Sequence, residues 1–192
     1  MVHFAVDDHE VWMCTELKDG KSWFLPFNKG YQEGAGNPPN PAGLATDYLW
    51  KQILQPLSLT NIIENYAQIV EEVDRKGRKK RRQLFPRYHQ LDLVRKLLAH
   101  AAANGIGHRY LAEHSAGSGK SNSIAWLGHQ LVELKTGASP SPTGVGEGGR
   151  RPGEGRQGET NSSGAAMFDS IIVVTDRRVL DRQIRENIRQ FA

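Results

Sequence analysis

The chain has 192 residues, 38% hydrophobic and 24% charged, enough for one domain or parts of two and balanced like a globular protein. No run approaches the roughly 18 apolar residues of a bilayer span, and the amino terminus MVHFAVDDHEVW is acidic where a secretory leader is basic, so a cytoplasmic protein is expected and membrane and export classes are set aside. The lone Cys14 excludes an internal disulfide and a CxxC knuckle, and the seven histidines show no metal-ligand spacing.

From the amino terminus, VHFAVDDHEVWMCTEL and KSWFLPFNKG alternate like short strands, and Asp19-Gly20 between them is a turn signal, which predicts a β-hairpin. After the turn-rich GAGNPPNPAG, Leu49, Trp50, Ile53 and Leu54 recur at helical spacing. Thr60 then stands as an N-cap before Ile62, Ile63, Tyr66, Ile69, Val70 and Val73, predicting a second amphipathic helix. The net charge of +4 is local, because RKGRKKRR, Arg75 to Arg82, carries seven positive charges and the rest of the chain has 18 basic against 21 acidic residues. Such a run can neutralise nucleic-acid phosphates. It can equally be a solvated hairpin or connector, and no aromatic residue is interleaved for base stacking.

Leu91, Val94, Leu98 and Ala101 mark another helix, RYLAEH a short strand, and Ile124, Leu127, Leu131 and Leu134 a helix that begins at a glycine cluster. Residues 137–166 hold nine glycines, three prolines and one large aliphatic, Val145, and are expected to form a disordered insertion. FDSIIVVTD is a nearly continuous apolar run of the kind found in a parallel strand covered on both faces. Leu180, Ile184, Ile188 and Phe191 share one face of a last helix. The β-α-β-α alternation from Arg109 onward predicts an α/β fold with a parallel sheet and right-handed crossovers.

The glycine cluster, HSAGSGKS, carries the chemistry. A strand that turns through Gly117-Ser118-Gly119 into a helix aims backbone N–H groups at one point, where an anion belongs. Glycines allow close approach to phosphate, the helix dipole adds favourable potential, Lys120 can reach the β- and γ-phosphates, and the Ser121 hydroxyl can ligate Mg²⁺. This is a Walker A phosphate loop with His114 where the generic pattern has glycine. Upstream, in FPRYHQ, the Gln90 amide can pair bidentately with N6 and N7 of adenine, which favours ATP over GTP.

The segments FPRYHQLDLVRKLL, HSAGSGKSNSIAWLGHQL and FDSIIVVTDRRVLDRQI resemble consecutive parts of the restriction (R) subunit of type I restriction endonucleases. They also resemble the superfamily 2 helicase layout, in which an R-x-x-Q adenine motif, here Arg87 to Gln90, precedes motif I, here Ala116 to Ser121, and motif Ia follows as VVTDRRVLDRQ. The hairpin and NPPNPAGLATDYLW look like the part of that subunit joining nuclease to motor, so the likeness spans nearly the whole chain except the insertion.

The resemblance implies residues 1–48 as the residual end of a nuclease domain and 49–84 as a helical connector with the basic run. It implies 85–192 as the first part of a RecA-like P-loop lobe. It implies ATP held by Arg87, Gln90, Ala116, Gly117, Ser118, Gly119, Lys120 and Ser121, with Mg²⁺ on Ser121 and with Thr175, Arg177 and Arg178 near DNA phosphates. The expected partners are double-stranded DNA and the modification and specificity subunits. The whole subunit is an ATP-dependent site-specific deoxyribonuclease that translocates DNA. The later acidic motif and the second lobe with its arginine finger are missing from this sequence, so the expectation is a truncated piece that binds ATP without turnover.

Alternatives stay open. IIVVTD can be a Walker B strand with Asp176 on Mg²⁺, making a small complete P-loop NTPase. Glu16-Leu17-Lys18, preceded by Asp7 and Asp8, imitates a nuclease D…E-x-K triad but runs into a turn. A non-enzymatic remnant that binds DNA or partner subunits through the basic run is the reading from another class.

Overall fold

The computed structural model describes residues 1–73, 77–136, 164–175, 184–185 and 188–189. The amino-terminal alternation forms a three-stranded antiparallel sheet, β1 His3–Val6, β2 Val11–Cys14 and β3 Leu25–Pro26 in that order. The first turn lies inside the first apolar segment. Asp7 makes it, its Oδ1 accepting the N–H groups of His9 and Glu10 at 2.7 Å each. The predicted pairing across Asp19-Gly20 is present between β2 and β3, with Asp19 at φ 45°.

Leu49–Ile53 is helical as its spacing predicts, but wound as a π-helix. α1, Pro56–Asn65, begins on Pro56, not at an N-cap Thr60. It ends at Tyr66, so the helix expected to run through Val73 stops early. Gln68–Val73 is β4 instead, paired antiparallel with β5, Lys79–Leu84. The β-branched Ile69 and Val70 suit a pleated strand better than a helix, and Val70 is buried while Ile69 is exposed, the alternation of a sheet. The basic run therefore belongs to a hairpin. Glu71 lies directly opposite Arg81 and pairs with Arg81 at 3.3 Å and Lys79 at 3.5 Å, which holds its carboxyl below the usual range.

α2, Tyr88–Asn104, and α3, Lys120–Glu133, stand where the periodicity puts them. The architecture is mixed α/β, and among the described residues every pairing between strands is antiparallel. The two segments read as parallel strands, Arg109 to His114 and Phe168 to Asp176, contain no strand among the described residues. Their apolar residues lack cover: Leu111 is 87% exposed, Ile172 82% and Val174 87%. A two-sided buried strand needs packed layers above and below and a hydrogen-bonded neighbour at each edge. The expected insertion lies outside the described residues from 137 to 163. Its two ends meet, Thr136 N–H donating to Ala165 O at 2.9 Å and Met167 N–H to Leu134 O at 2.8 Å. The last predicted helix falls almost wholly outside the described residues.

One apolar cluster joins the sheet to the helices. Val11, Met13 and Phe27 pack with Tyr48, Leu49 and Ile53, with Ile62 and Tyr66, and with Leu91, Val94 and Trp126. Tyr88 sits edge-on to both Phe27, at 5.9 Å, and Tyr48, at 5.2 Å, and Tyr48 Oη donates to Phe27 O at 2.7 Å. Arg95 of α2 clasps α1 through Ser58 Oγ at 3.0 Å, Ser58 O at 3.1 Å and Asn61 Oδ1 at 2.9 Å. These contacts fix α2, and α2 in turn positions the glycine loop.

Candidate functional site: a glycine loop at a helix start

The loop from His114 to Gly119 enters α3 through two glycines in the left-handed region, Gly117 at φ 76° and Gly119 at φ 82°. An L side chain resists that region. Gly119 is constrained twice, since a Cβ there would stand 2.4 Å from Gln90 Nε2. The N–H groups of Asn122 and Ser123 turn back to Gly119 O at 3.0 and 3.4 Å. As the first two residues of the helix, Lys120 and Ser121 have N–H groups with no carbonyl inside it, and the helix dipole gives this end positive potential.

Lys120 reaches back along the loop. Its Nζ donates to His114 O and Ser115 O, each at 2.8 Å. The ammonium is thereby fixed beside the loop carbonyls. Ser121 lies half-buried in the first turn, and Ala116 is exposed in the turn before Gly117.

Gln90 is 4% exposed and ties α2 to the loop. Its Oε1 accepts Arg87 N–H at 2.8 Å, closing the start of α2. Its Nε2 donates to Ser118 O at 3.2 Å and Gly119 O at 3.0 Å. A carboxamide nitrogen has two hydrogens, so both donors are engaged, and pairing with adenine N7 requires one to leave the loop. His89 adds a third tie, missed from the sequence because its partner is 29 residues away: Nε2 lies 3.0 Å from Ser118 O. A carbonyl only accepts, so Nε2 carries the hydrogen. The ring packs edge-on against His114 at 4.9 Å, and burial holds its pKa below the ordinary value. The histidine in the generic glycine position thus packs against α2.

Two polar atoms beside the loop, Ser118 Oγ and Arg87 Nε, are buried and hydrogen-bond to nothing among the described residues. A buried unsatisfied polar atom costs about 1–3 kcal/mol, and such atoms mark places where a ligand can repay the cost. Burial also lowers the pKa of the Arg87 guanidinium. Both residues line a cleft of about 410 Å³ that Gln90, Gly117, Gly119 and Asn122 share with the β2–β3 loop. That volume falls within the roughly 300–1,000 Å³ of small-molecule sites.

The predicted phosphate-loop residues therefore lie together, with Arg87 and Gln90 against them. Thr175 lies outside any helix or strand, and Arg177, Arg178 and Asp176 fall outside the described residues. The nuclease-like residues do not assemble: Asp7 is engaged in its turn, and Glu16 pairs with Lys18 at 2.7 Å and Lys80 at 3.5 Å. Among the described residues no three His, Cys, Asp or Glu side chains gather as a metal site, and no helix is long and apolar enough to cross a membrane.

Protein-family models, curated proteins and solved structures contain no match to this chain.

Proposed function

We propose that this chain binds Mg²⁺–ATP at the loop Ala116–Ser121, as the nucleotide-binding part of a DNA-translocating restriction subunit of the type I kind. The observation that carries the nucleotide reading is the loop itself. Two left-handed glycines deliver the chain into the first turn of α3 with the Lys120 ammonium held alongside. The helix N-terminus and the ammonium attract the same anion, and a polyphosphate fits both. In this reading Lys120 exchanges its carbonyl partners for phosphate oxygens, and Ser121 faces the cation that the phosphates carry. Gln90 moves one Nε2 hydrogen from the loop to adenine, so that base identity is transmitted to loop geometry. The proposed activity is nucleotide binding, not hydrolysis. The parallel RecA-like sheet, the DNA contacts at Thr175, Arg177 and Arg178 and the partner subunits rest on the resemblance of the motifs.

The rival, a protein that only binds DNA through its basic run, is weakened by one observation: Glu71 engages both Lys79 and Arg81. Calorimetric titration with ATP at millimolar Mg²⁺ tests the proposal. Wild type gives saturable heat, and Lys120→Ala binds at least tenfold more weakly. Absence of heat with a folded wild-type chain sinks it.

A further inference from the structure

The cleft has a second wall that the glycine loop does not supply. The segment between β2 and β3 brings Glu16, Lys18, Lys21 and Trp23 to it, opposite Arg87 and the loop glycines. Counting Arg82, four cations and one carboxylate line the cleft, and that carboxylate is engaged with Lys18. Lys21 makes no ion pair among the described residues. Trp23 is 77% exposed, the most exposed of the large aromatic side chains described.

An indole left in water at the rim of a cationic cleft forgoes the burial that normally holds it. Its flat face is a platform on which any nucleobase can stack, and an unpaired ammonium two residues away suits the phosphate end of the same molecule. We propose that the β2–β3 loop is the second half of the nucleotide site, Trp23 stacking on the base and Lys21 facing the phosphate chain. Bound nucleotide then bridges the amino-terminal sheet to the start of α3. This rests on the reading of the glycine loop as a nucleotide site and adds base contact from a distant part of the chain. Stacking is tolerant of base identity, so the platform adds affinity without selecting adenine.

The test is calorimetric titration of the whole chain with Mg²⁺–ATP and, separately, with inorganic tripolyphosphate. Trp23→Ala is expected to weaken ATP about tenfold and to leave tripolyphosphate unchanged, because only ATP carries a ring to stack. Trp23→Phe should retain most of the ATP affinity. Lys21→Ala should weaken both ligands severalfold. Both positions are exposed, and circular dichroism confirms that each of the three variants is folded. If Lys120→Ala loses ATP while the Trp23 and Lys21 variants bind like wild type, the second wall is wrong and the glycine-loop reading stands. Equal weakening of ATP and tripolyphosphate by Trp23→Ala also overturns it. A wild type that binds neither ligand removes both.

Discussion

At the scale of single residues, the two loop glycines differ in what they resist, and that difference is measurable. Gly117 has φ 76° and nothing within 4 Å of an added Cβ, so Gly117→Ala incurs only the left-handed penalty, about 1–2 kcal/mol. Gly119→Ala incurs the same penalty and also displaces Gln90, which breaks the link to α2. Urea unfolding should therefore rank Gly119→Ala as the more destabilising, and a reversed order would mean that Gln90 does not hold the loop. His89 gives a pH signature. Burial lowers its pKa in the folded state, so between that lowered value and the ordinary 6.5 the unfolded chain binds more protons. Stability from His89 is full above about 6.5 and declines as pH falls through this window. Gln does not titrate, so His89→Gln should gain on wild type in urea midpoint between pH 7.5 and 5.5, whereas a constant difference would refute the linkage. The placement of the glycines, Lys120 and Ser121 at the start of α3 was legible in the sequence because it is local to one turn. The actual partners of Gln90 and His89 were not, since both reach Ser118 across the fold.

At the scale of elements, the helices α2 and α3 were readable because each repeats its apolar face over several turns, whereas the segment after α1 was misread. Ile69, Val70 and Val73 fit both a helical stripe and a strand when short windows are read, and the partner strand that decides between them is the basic run. The pairing divides that run into faces. Lys79 and Arg81 share Glu71, while Lys80 reaches Glu16 and Arg82 lines the cleft. Glu71→Gln releases two cations without adding one. Non-specific affinity for duplex DNA should rise, and the slope of log K against log salt should steepen by about 1–2, as counterion release requires. Fluorescence anisotropy over a salt series reads both, and an unchanged slope would mean that the hairpin does not meet phosphate. The residues on either side of 137–163 are held together. They are joined by hydrogen bonds at Thr136 and Met167, and Gly164 approaches Thr136 O so closely that a Cβ would stand 2.2 Å from it. Loop closure entropy changes by only about 0.6 kcal/mol per doubling of length. Replacing residues 140–161 with a short glycine-serine link should therefore leave the thermal midpoint within a few degrees, while Gly164→Val should lower it.

At the scale of the whole molecule, one core runs from Val11 of the amino-terminal sheet to Trp126 of α3, so the glycine loop is buttressed by residues far upstream. The sequence reading placed the loop in a parallel sheet, and that layer is where pattern and structure part. FDSIIVVTD has the composition of a strand covered on both faces, yet composition reports only what a segment can bury, not whether neighbours are present to bury it. Among the described residues Leu111, Ile172 and Val174 are among the most exposed large hydrophobic side chains. Extended apolar segments with unpaired backbone groups recruit other chains, by edge pairing or by burial of their side chains. The isolated chain should therefore self-associate in a concentration-dependent way, seen as a rising mass in light scattering behind size exclusion. Ile172→Ser with Val174→Ser should lower that mass while leaving any ATP affinity within about twofold, because neither residue lines the cleft beside the glycine loop. A wild-type chain that stays monomeric up to high concentration and melts sharply would show that these faces are covered. In that case the strand at 168–175 must pair within the chain, as the β-α-β-α pattern first suggested.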